Sequence, residues 1–280
     1  MNECIVCGTT QHESVYKGLL KCQRCGHTVA DLNLTDAELF KLYSRNYFFG
    51  EEYSDYVADK KVMQNNFKLR LKTLQRFLNP TFHRNLLEIG CAYGFFLEFA
   101  QDYFDHVQGI DITEEGVRYA RETLHLDAIQ SDLLKHDFGE QRFDVVCMWD
   151  TIEHIGQPHF YIEKISKQMN NGGLLAITTG DISSLNARIR RSNWRLIHPP
   201  THVHYFSRKT LEKMLNNYGF DVVYNRYCGF YRSVDNIAYN IFVLRQNNPK
   251  MYHWLKRLRL TDWYFYLNLY DIMYVIASKR

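Results

Sequence analysis

The chain has 280 residues, of which 46% are hydrophobic and 23% charged, and this composition excludes a disordered or low-complexity protein. Its net charge of +3 is too small to indicate nucleic-acid binding. The amino terminus lacks the pattern of a secretory signal, and no apolar run approaches the ~18 residues of a membrane helix. We therefore expect a cytoplasmic protein without a transmembrane segment.

Four cysteines near the amino terminus form two Cys-x-x-Cys-Gly pairs. They are Cys4, Cys7, Cys22 and Cys25. Four thiolates presented from two tight turns match the tetrahedral preference of Zn²⁺ and leave no open coordination position. We therefore predict a structural zinc ribbon over residues 1–30, with a redox pair or an unmetallated remnant as the alternative. His12 and His27 are expected at the surface.

Residues 31–83 are predicted to form a helical, aromatic-rich linker and lid. Thr35 followed by Glu38 is typical of a helix start. The stretch 43–56 contains six aromatic side chains, which could line a pocket or pack on the main domain. A helix is predicted over 55–78, where Asn79-Pro80 ends it.

From residue 84 to 280 short apolar strands alternate with helical stretches. The predicted strands are 85–89, 107–111, 128–131, 144–149 and 173–178, with helices near 94–104, 114–124 and 158–169. A helix over 207–218 and strands over 220–227 and 272–278 follow. This alternation predicts an α/β fold with a mainly parallel sheet covered on both faces. An aromatic and basic insertion is expected near 231–270.

A glycine turn and two acids follow consecutive predicted strands. Gly90 allows the turn, and Gly94 leaves room for a ligand at the helix start, where exposed amides favour a polar or anionic group. Asp111 ends the next strand, where its carboxylate could accept hydrogen bonds from both ribose hydroxyls of a nucleotide. Asp132 follows the third strand.

In these motifs and their order the chain resembles the class I S-adenosylmethionine-dependent methyltransferases over roughly residues 55–230. The pattern Glu88-x-Gly90-x-x-x-Gly94 matches the first family motif, with Ala92 in place of its middle glycine. The resemblance implies a seven-stranded Rossmann-like sheet, S-adenosylmethionine as cofactor and S-adenosylhomocysteine as product. The implied cofactor-binding residues are Glu88, Gly90, Ala92, Gly94, Asp111, Ile112, Asp132, Leu133, Trp149 and Asp150. A dinucleotide oxidoreductase is the main competing interpretation, and the Glu88 pattern weakens it.

Two segments are predicted to reach the transferred methyl group. In-line transfer from a sulfonium needs an aligned acceptor and removal of its proton. His154, after the fourth strand, and His202, after the fifth, are the leading base candidates, and Glu153 and His204 complete the predicted catalytic set. His154 could instead only fix its loop, and His204 could point away from His202 because strand side chains alternate.

A divalent ion at Asp150, Glu153 and His154 is a further alternative. Some quinone O-methyltransferases carry a similar Glu-His pair, so this segment resembles theirs. On that reading the pair would hold a metal and would not act as a base.

The acceptor is predicted from a narrower resemblance. The ribbon, the core and the segment from Trp194 to Ser207 resemble a bacterial subgroup associated with surface-polysaccharide or sugar biosynthesis. This implies methylation of oxygen or carbon on a sugar, nucleotide sugar or glycan intermediate. Thr201 stands where that subgroup usually has Glu. Arg188, Arg190, Arg191 and Arg195 form either a clamp for an acceptor phosphate or a solvated loop.

Other functions remain open at this stage. A zinc-ribbon rRNA or tRNA methyltransferase is the first alternative, disfavoured by the small net charge, and a quinone-type O-methyltransferase is the second. A binding protein that kept the fold without catalysis is a third. Lys256, Arg257 and Arg259 lie near Trp254 and Trp263. Basic residues beside tryptophans could contact a membrane surface. We expect instead that they pack on the core or on another subunit.

Overall fold

The computed structural model describes residues 3–32, 38, 57 and 59–280. The predicted helix start at Thr35 and the aromatic stretch 43–56 therefore lie outside the described residues. Within the described part of the chain, no helix combines the length and apolarity needed to cross a bilayer.

The amino-terminal sheet, which we call the ribbon, contains three antiparallel strands of its own and a fourth from far along the chain. These are β1 (His12–Tyr16), β2 (Leu19–Cys22), β3 (Thr28–Ala30) and β9 (His204–Tyr205), in that order. Thr28 pairs with Tyr205 and Val29 with His204. The ribbon is thus completed by a strand from the core.

The main sheet has seven strands in the order β10-β13-β8-β7-β4-β5-β6. They are β4 (Asn85–Ile89), β5 (His106–Asp111), β6 (Ala128–Gln130), β7 (Phe143–Trp149), β8 (Met169–Gly180), β10 (Phe220–Tyr227) and β13 (Ile272–Lys279). Strands β4 to β8 are parallel, and β13 is antiparallel to both of its neighbours. All seven residues of β7 are buried, as expected for a strand covered on both faces. The predicted Rossmann-like fold is confirmed.

Strand β8 begins earlier than predicted. The sequence predicts a start at residue 173, after the Gly172 turn, but Met169 already pairs with Phe143. A bulge then shifts the register so that Val145 pairs with Leu174. Residues 170–172, which the sequence predicts as a turn, therefore lie inside β8, where the pairing with β7 is irregular.

Helices cover both faces of the sheet and also occupy the insertion. They are α1 (Lys60–Leu74), α2 (Leu97–Ala100), α3 (Glu114–Glu122), α4 (Pro158–Gln168), α5 (Leu185–Arg190), α6 (Arg208–Asn217), α7 (Val234–Ala238) and α8 (Pro249–Arg257). A π-helix spans Tyr239–Arg245, and 3₁₀ turns span Ile152–His154 and Arg191–Asn193. The helix predicted over 94–104 is shortened to four residues, and the one predicted over 55–78 begins at Lys60.

The insertion is attached to α1. Its strands β11 (Phe230–Ser233) and β12 (Tyr264–Leu267) form a separate antiparallel pair. Asn66 of α1 donates from Nδ2 to the Tyr231 carbonyl at 3.1 Å and accepts the Tyr231 amide at Oδ1. The insertion thus lies beside the helix that leads into the first core strand.

Candidate functional site

A cavity of about 260 Å³ lies at the carboxyl ends of the parallel strands, which is where ligands bind in open α/β sheets. Nine of the ten predicted cofactor-binding residues line it. They are Glu88, Gly90, Ala92, Asp111, Ile112, Asp132, Leu133, Trp149 and Asp150. Helix α1 contributes a further wall through Met63, Phe67 and Arg70.

Asp111 is held in one orientation by the turns on either side of it. Its Oδ2 accepts the Ala92 amide at 2.8 Å, and its Oδ1 accepts the Thr113 amide at 2.8 Å and the Thr113 hydroxyl at 2.7 Å. Burial raises the pKa of Asp111, although these donors oppose that effect. The carboxylate therefore ties the glycine turn to the end of β5 on the wall of the cavity.

The two glycines of the turn have different structural roles. Gly90 has φ +77°, and a Cβ there would lie 2.6 Å from the hydroxyl oxygen of Thr151. Gly94 has φ +75°, and its Cβ would lie 2.6 Å from Leu126 and 3.1 Å from Ala120. The prediction that Gly94 leaves room for a ligand is therefore not supported, because the space is filled by Leu126 and helix α3.

Opposite charges meet at the α1 wall. Arg70 donates to Asp150 Oδ2 at 2.5 Å, and its guanidinium lies 5.6 Å from the Trp149 ring centre and 5.4 Å from that of Phe67. Glu88 is buried nearby, and burial together with Asp111 raises its pKa well above the usual value. Sequence reasoning missed Arg70, since no motif surrounds it and only its place on a predicted helix could have drawn attention to it.

Asp132 is oriented by a side chain that the sequence analysis also missed. The Tyr161 hydroxyl donates to Asp132 Oδ1 at 2.6 Å, and the Leu134 amide donates to the same oxygen at 2.9 Å. Tyr161 projects from α4 and lines the cavity. Its position depends on the packing of α4 on the sheet, which no local pattern reveals.

Glu153, His154 and His202 come together, and their ligand atoms all lie within 4.8 Å of one another. The Thr201 carbonyl accepts His154 Nδ1–H at 2.8 Å, so the lone pair of this tautomer is on Nε2. Burial lowers the pKa of His154 to about 4, and burial raises that of Glu153 to about 8. The set differs from the predicted Asp150, Glu153 and His154 because Asp150 is paired with Arg70.

His154 lies on the cavity wall, whereas His202 stands behind it. The two rings are 4.6 Å apart, and burial lowers the pKa of His202 well below the usual value, with His154 adding to the effect. His202 is not among the residues that line the cavity. The structure therefore brings both predicted bases together but gives only His154 direct access.

His204 does not face the cavity. Its Nε2–H donates to the Gly156 carbonyl at 3.1 Å, and its Nδ1 lies 3.1 Å from His27 Nε2. The sequence predicts that His204 belongs to the catalytic set, but in the structure both of its ring nitrogens contact other groups, one of them in the ribbon. His27, predicted at the surface, is buried, because β9 and Phe206 cover it.

The four amino-terminal cysteines form a compact cluster. The sulfur atoms of Cys4 and Cys25 are 3.5 Å apart, as are those of Cys7 and Cys22, and all four lie within 4.8 Å of one another. Four sulfurs at about 2.3 Å from one tetrahedral ion would be about 3.8 Å apart. The cluster therefore fits a single metal ion and is too wide for disulfides.

The predicted arginine clamp lies away from the cavity, since none of its four arginines is a lining residue. Arg195 donates to Asp271 Oδ1 at 3.0 Å, and buried Asp271 also accepts Trp194 Nε1–H at 2.9 Å. Arg195 therefore anchors the segment that precedes His198. Arg188, Arg190 and Arg191 are exposed on and after α5.

Comparison with known proteins places the fold. A family described as a methyltransferase domain matches residues 60–225. A ubiquinone biosynthesis O-methyltransferase of Glaesserella parasuis is 29% identical over 121 residues, 40% of this chain and 51% of that protein. Its namesake from Vibrio atlanticus is 29% identical over 213 residues, 69% of this chain and 89% of that protein. The chain thus spans about half the length of the first of these relatives.

A solved structure agrees in fold alone. The YcgJ protein of Bacillus subtilis superposes with a TM-score of 0.55 at 14% identity, covering 76% of this chain and 99% of that one. The family match extends over more than half of the chain and contains the strands that bound the cavity. The chain therefore belongs to the S-adenosylmethionine-dependent methyltransferases of the class I fold.

Proposed function

We propose that this protein transfers the methyl group of S-adenosylmethionine to a hydroxyl oxygen of a small aromatic acceptor of the quinone-precursor type. The observation that carries the donor half is buried Asp111, held beside the glycine turn on the cavity wall. An acid at this place can accept hydrogen bonds from the ribose hydroxyls. Asp132, oriented by Tyr161, would lie toward the adenine.

The amino-acid end of the donor would lie near Glu88 and Arg70. That end carries an ammonium, which pairs with an acidic side chain, and a carboxylate, which pairs with a basic side chain. Glu88 and Arg70 both line the cavity and supply this pair. The Arg70–Asp150 ion pair keeps the guanidinium oriented before the donor binds.

The acceptor class is inferred from the walls of the cavity and from the relatives. Phe67, Phe95, Trp149 and Tyr161 offer aromatic faces, which suit a flat ring better than a sugar with hydroxyls on every side. The relatives described above are named for ubiquinone biosynthesis. The sugar or nucleotide-sugar acceptor expected from the sequence has no support among them.

Removal of the acceptor proton would fall to His154. At neutral pH its imidazole is uncharged, and its Nε2 carries the lone pair. Glu153 and His202 complete a set of donors that fits one divalent cation, since neutral imidazoles and a carboxylate are its usual ligands. With such an ion bound, His154 Nε2 would be a ligand and not the base, and the ion would promote deprotonation by lowering the pKa of a bound acceptor hydroxyl. Orienting and deprotonating that hydroxyl is the task of this cluster.

The four-cysteine cluster would hold a structural Zn²⁺. Four thiolates close the coordination sphere, so the ion would take no part in the reaction. Cys4 and Cys22 are buried in the core cluster that also contains Phe206 and Leu211. Zinc would therefore stabilise the face of the core from which β9 emerges.

Labelled-methyl transfer tests this proposal. We expect a catechol such as 3,4-dihydroxybenzoate to be methylated, and a nucleotide sugar and total RNA not to be. His154→Ala should lower kcat by about a hundredfold without changing the affinity for S-adenosylhomocysteine. His136→Ala is the control, because His136 packs on Phe138 outside the cavity. Methylation of the nucleotide sugar alone would refute the aromatic acceptor.

A further inference from the structure

The surface of helix α8 exposes large apolar side chains. Met251, Trp254 and Leu258 have relative exposures of 40%, 55% and 50%. They recur at helical spacing with Leu255 and therefore share one face. On another face Tyr252 is buried, and its hydroxyl donates to Asp235 Oδ2 at 2.9 Å. The helix is thus anchored through Tyr252, and the apolar stripe points outward.

This stripe is bordered by positive charge. Between residues 236 and 261 the sequence contains no Asp or Glu and five basic residues, namely Arg245, Lys250, Lys256, Arg257 and Arg259. Lys250 and Arg257 lie four residues before and three residues after Trp254, so both flank it on the helix. Lys256 instead reaches back to Asp235 at 3.3 Å.

We propose that the α8 surface, formed by Met251, Trp254, Leu255 and Leu258 with Lys250, Arg257 and Arg259, docks on an anionic lipid bilayer. A helix with a Trp- and Leu-bearing face bordered by Lys and Arg lies in the plane of the lipid headgroups. The apolar side chains enter the acyl boundary, and the basic ones meet the headgroup phosphates.

The charge and apolarity of the α8 surface favour a bilayer over a second copy of the chain or a nucleic acid. A second copy of the chain would bring the same positive surface against itself across a twofold axis, which like charges oppose. A nucleic acid would match the charge, but it offers no apolar surface to an exposed methionine and leucine pair. A bilayer satisfies both components at once.

The position of the surface connects it to the cavity. Strand β11 of the same insertion bonds to Asn66 of α1, and α1 lines the cavity through Met63, Phe67 and Arg70. A docked α8 would therefore hold the cavity close to the membrane, where apolar acceptors are concentrated. The proposal rests on the surface itself and does not require any particular acceptor.

Tryptophan fluorescence provides the test. The chain has four tryptophans, of which Trp149 and Trp194 are 6% and 2% exposed and Trp263 is 72% exposed. In a Trp263→Phe background, Trp254 is therefore the exposed reporter. We expect vesicles of brominated phosphatidylcholine and phosphatidylglycerol to quench it strongly, and vesicles of brominated phosphatidylcholine alone to quench it weakly. Added salt should weaken the quenching.

Two sets of variants separate the components. K250Q/R257Q/R259Q should weaken binding to the anionic vesicles roughly fivefold for each charge removed. M251S/L258S should weaken it about tenfold or more. Y103S/F160S is the matched control, since both rings are exposed outside the insertion. Circular dichroism and urea midpoints equal to those of the parent would show that the variants fold.

Three results would overturn the proposal. The first is the absence of quenching by anionic vesicles, or equal quenching of the parent and M251S/L258S. The second is a concentration-dependent dimer that M251S/L258S abolishes, which would assign the surface to a second copy. The third is RNA binding that K250Q/R257Q/R259Q abolishes and M251S/L258S leaves unchanged.

Discussion

The ring of His27 in the ribbon lies against the ring of His204 in the core, with its Nε2 3.1 Å from His204 Nδ1. Because the Gly156 carbonyl accepts His204 Nε2–H, the shared proton belongs to His27. Gly156 lines the cavity. The imidazoles of His27 and His204 thus connect the ribbon, close to Cys25, with Gly156 on the cavity wall.

Replacing His204 by Phe should destabilise the protein. The ring volume is kept, but the buried His27 Nε2–H and the Gly156 carbonyl both lose their partner, at a cost of about 1–3 kcal/mol each. Urea unfolding measures the loss, and hydrogen exchange over 151–157 should become faster. His12→Phe serves as the control because the His12 ring makes an exposed hydrogen bond to the Thr10 carbonyl and lies outside the histidine pair. Equal losses in the two variants would contradict a special role for the histidine pair.

Loss of the zinc proposed for the four-cysteine cluster should loosen the core as well as the ribbon. Cys22→Ser is expected to reduce bound zinc well below one ion per chain, as measured by mass spectrometry of metals, and to lower the urea midpoint. The reason is that Cys4 and Cys22 belong to the main buried cluster. Cys228→Ser, at a half-buried thiol outside the cluster, should keep the full zinc content. Full zinc in Cys22→Ser would disprove the ligand set.

Asp111→Asn should weaken the binding of S-adenosylhomocysteine by about 10- to 100-fold, the usual effect of losing hydrogen bonds to a charged acceptor. The amide can accept on only one side, whereas Asp111 accepts on both. Titration calorimetry gives the affinity directly. Asp127→Asn is the matched control, since Asp127 pairs with Gln108 away from the cavity. Unchanged affinity in Asp111→Asn would remove it from the donor site.

Gly94→Ala should destabilise the fold more than Gly139→Ala. Both glycines have positive φ, but a Cβ at Gly94 meets Leu126 at 2.6 Å, while one at Gly139 meets nothing within 4 Å. Overpacking should add about 1–3 kcal/mol to the backbone strain that the two variants share. Thermal or urea unfolding gives the comparison. Equal destabilisation would show that Leu126 moves aside freely.

Glu88→Gln should flatten the pH dependence of stability in the cofactor-free protein. Burial raises the pKa of Glu88 well above the usual value near 4.5. Above that value the unfolded chain releases its proton while the folded protein retains it, so stability falls as pH rises until the folded pKa is reached. The parent should lose up to about 1.4 kcal/mol per pH unit relative to Glu88→Gln. Urea unfolding between about pH 5 and about pH 7 measures this, and parallel curves would contradict it.

Local sequence patterns predicted the sheet well. Strand β4 is buried on both faces and reads as a short apolar run, and the prediction over 85–89 coincides with it. The prediction over 220–227 coincides with β10, which is the half-buried edge strand. The glycine turn after Glu88 and the acid at Asp111 also follow a local pattern, and both lie on the cavity wall. The close cysteine spacing likewise led to the four-sulfur cluster.

Other parts of the site depend on contacts between distant segments, which no local pattern records. Arg70 faces the cavity because α1 packs across the strand ends, and it pairs with Asp150, 80 residues away. His202 and His204 differ in role because β9 pairs with the ribbon and turns one ring to His27 and the other to His154.

The sequence by itself therefore determined the fold, most of the residues that line the cavity at the strand ends, and the cysteine cluster, because short-range periodicity and spacing govern each of them. Only the tertiary structure decided which histidine reaches the cavity and that Gly94 serves packing. It also decided that Trp254 and the basic residues of α8 do not pack on the core of their own chain. Burial and hydrogen-bond partners depend on the folded chain, and they determine which of several possible roles a side chain of a given type has.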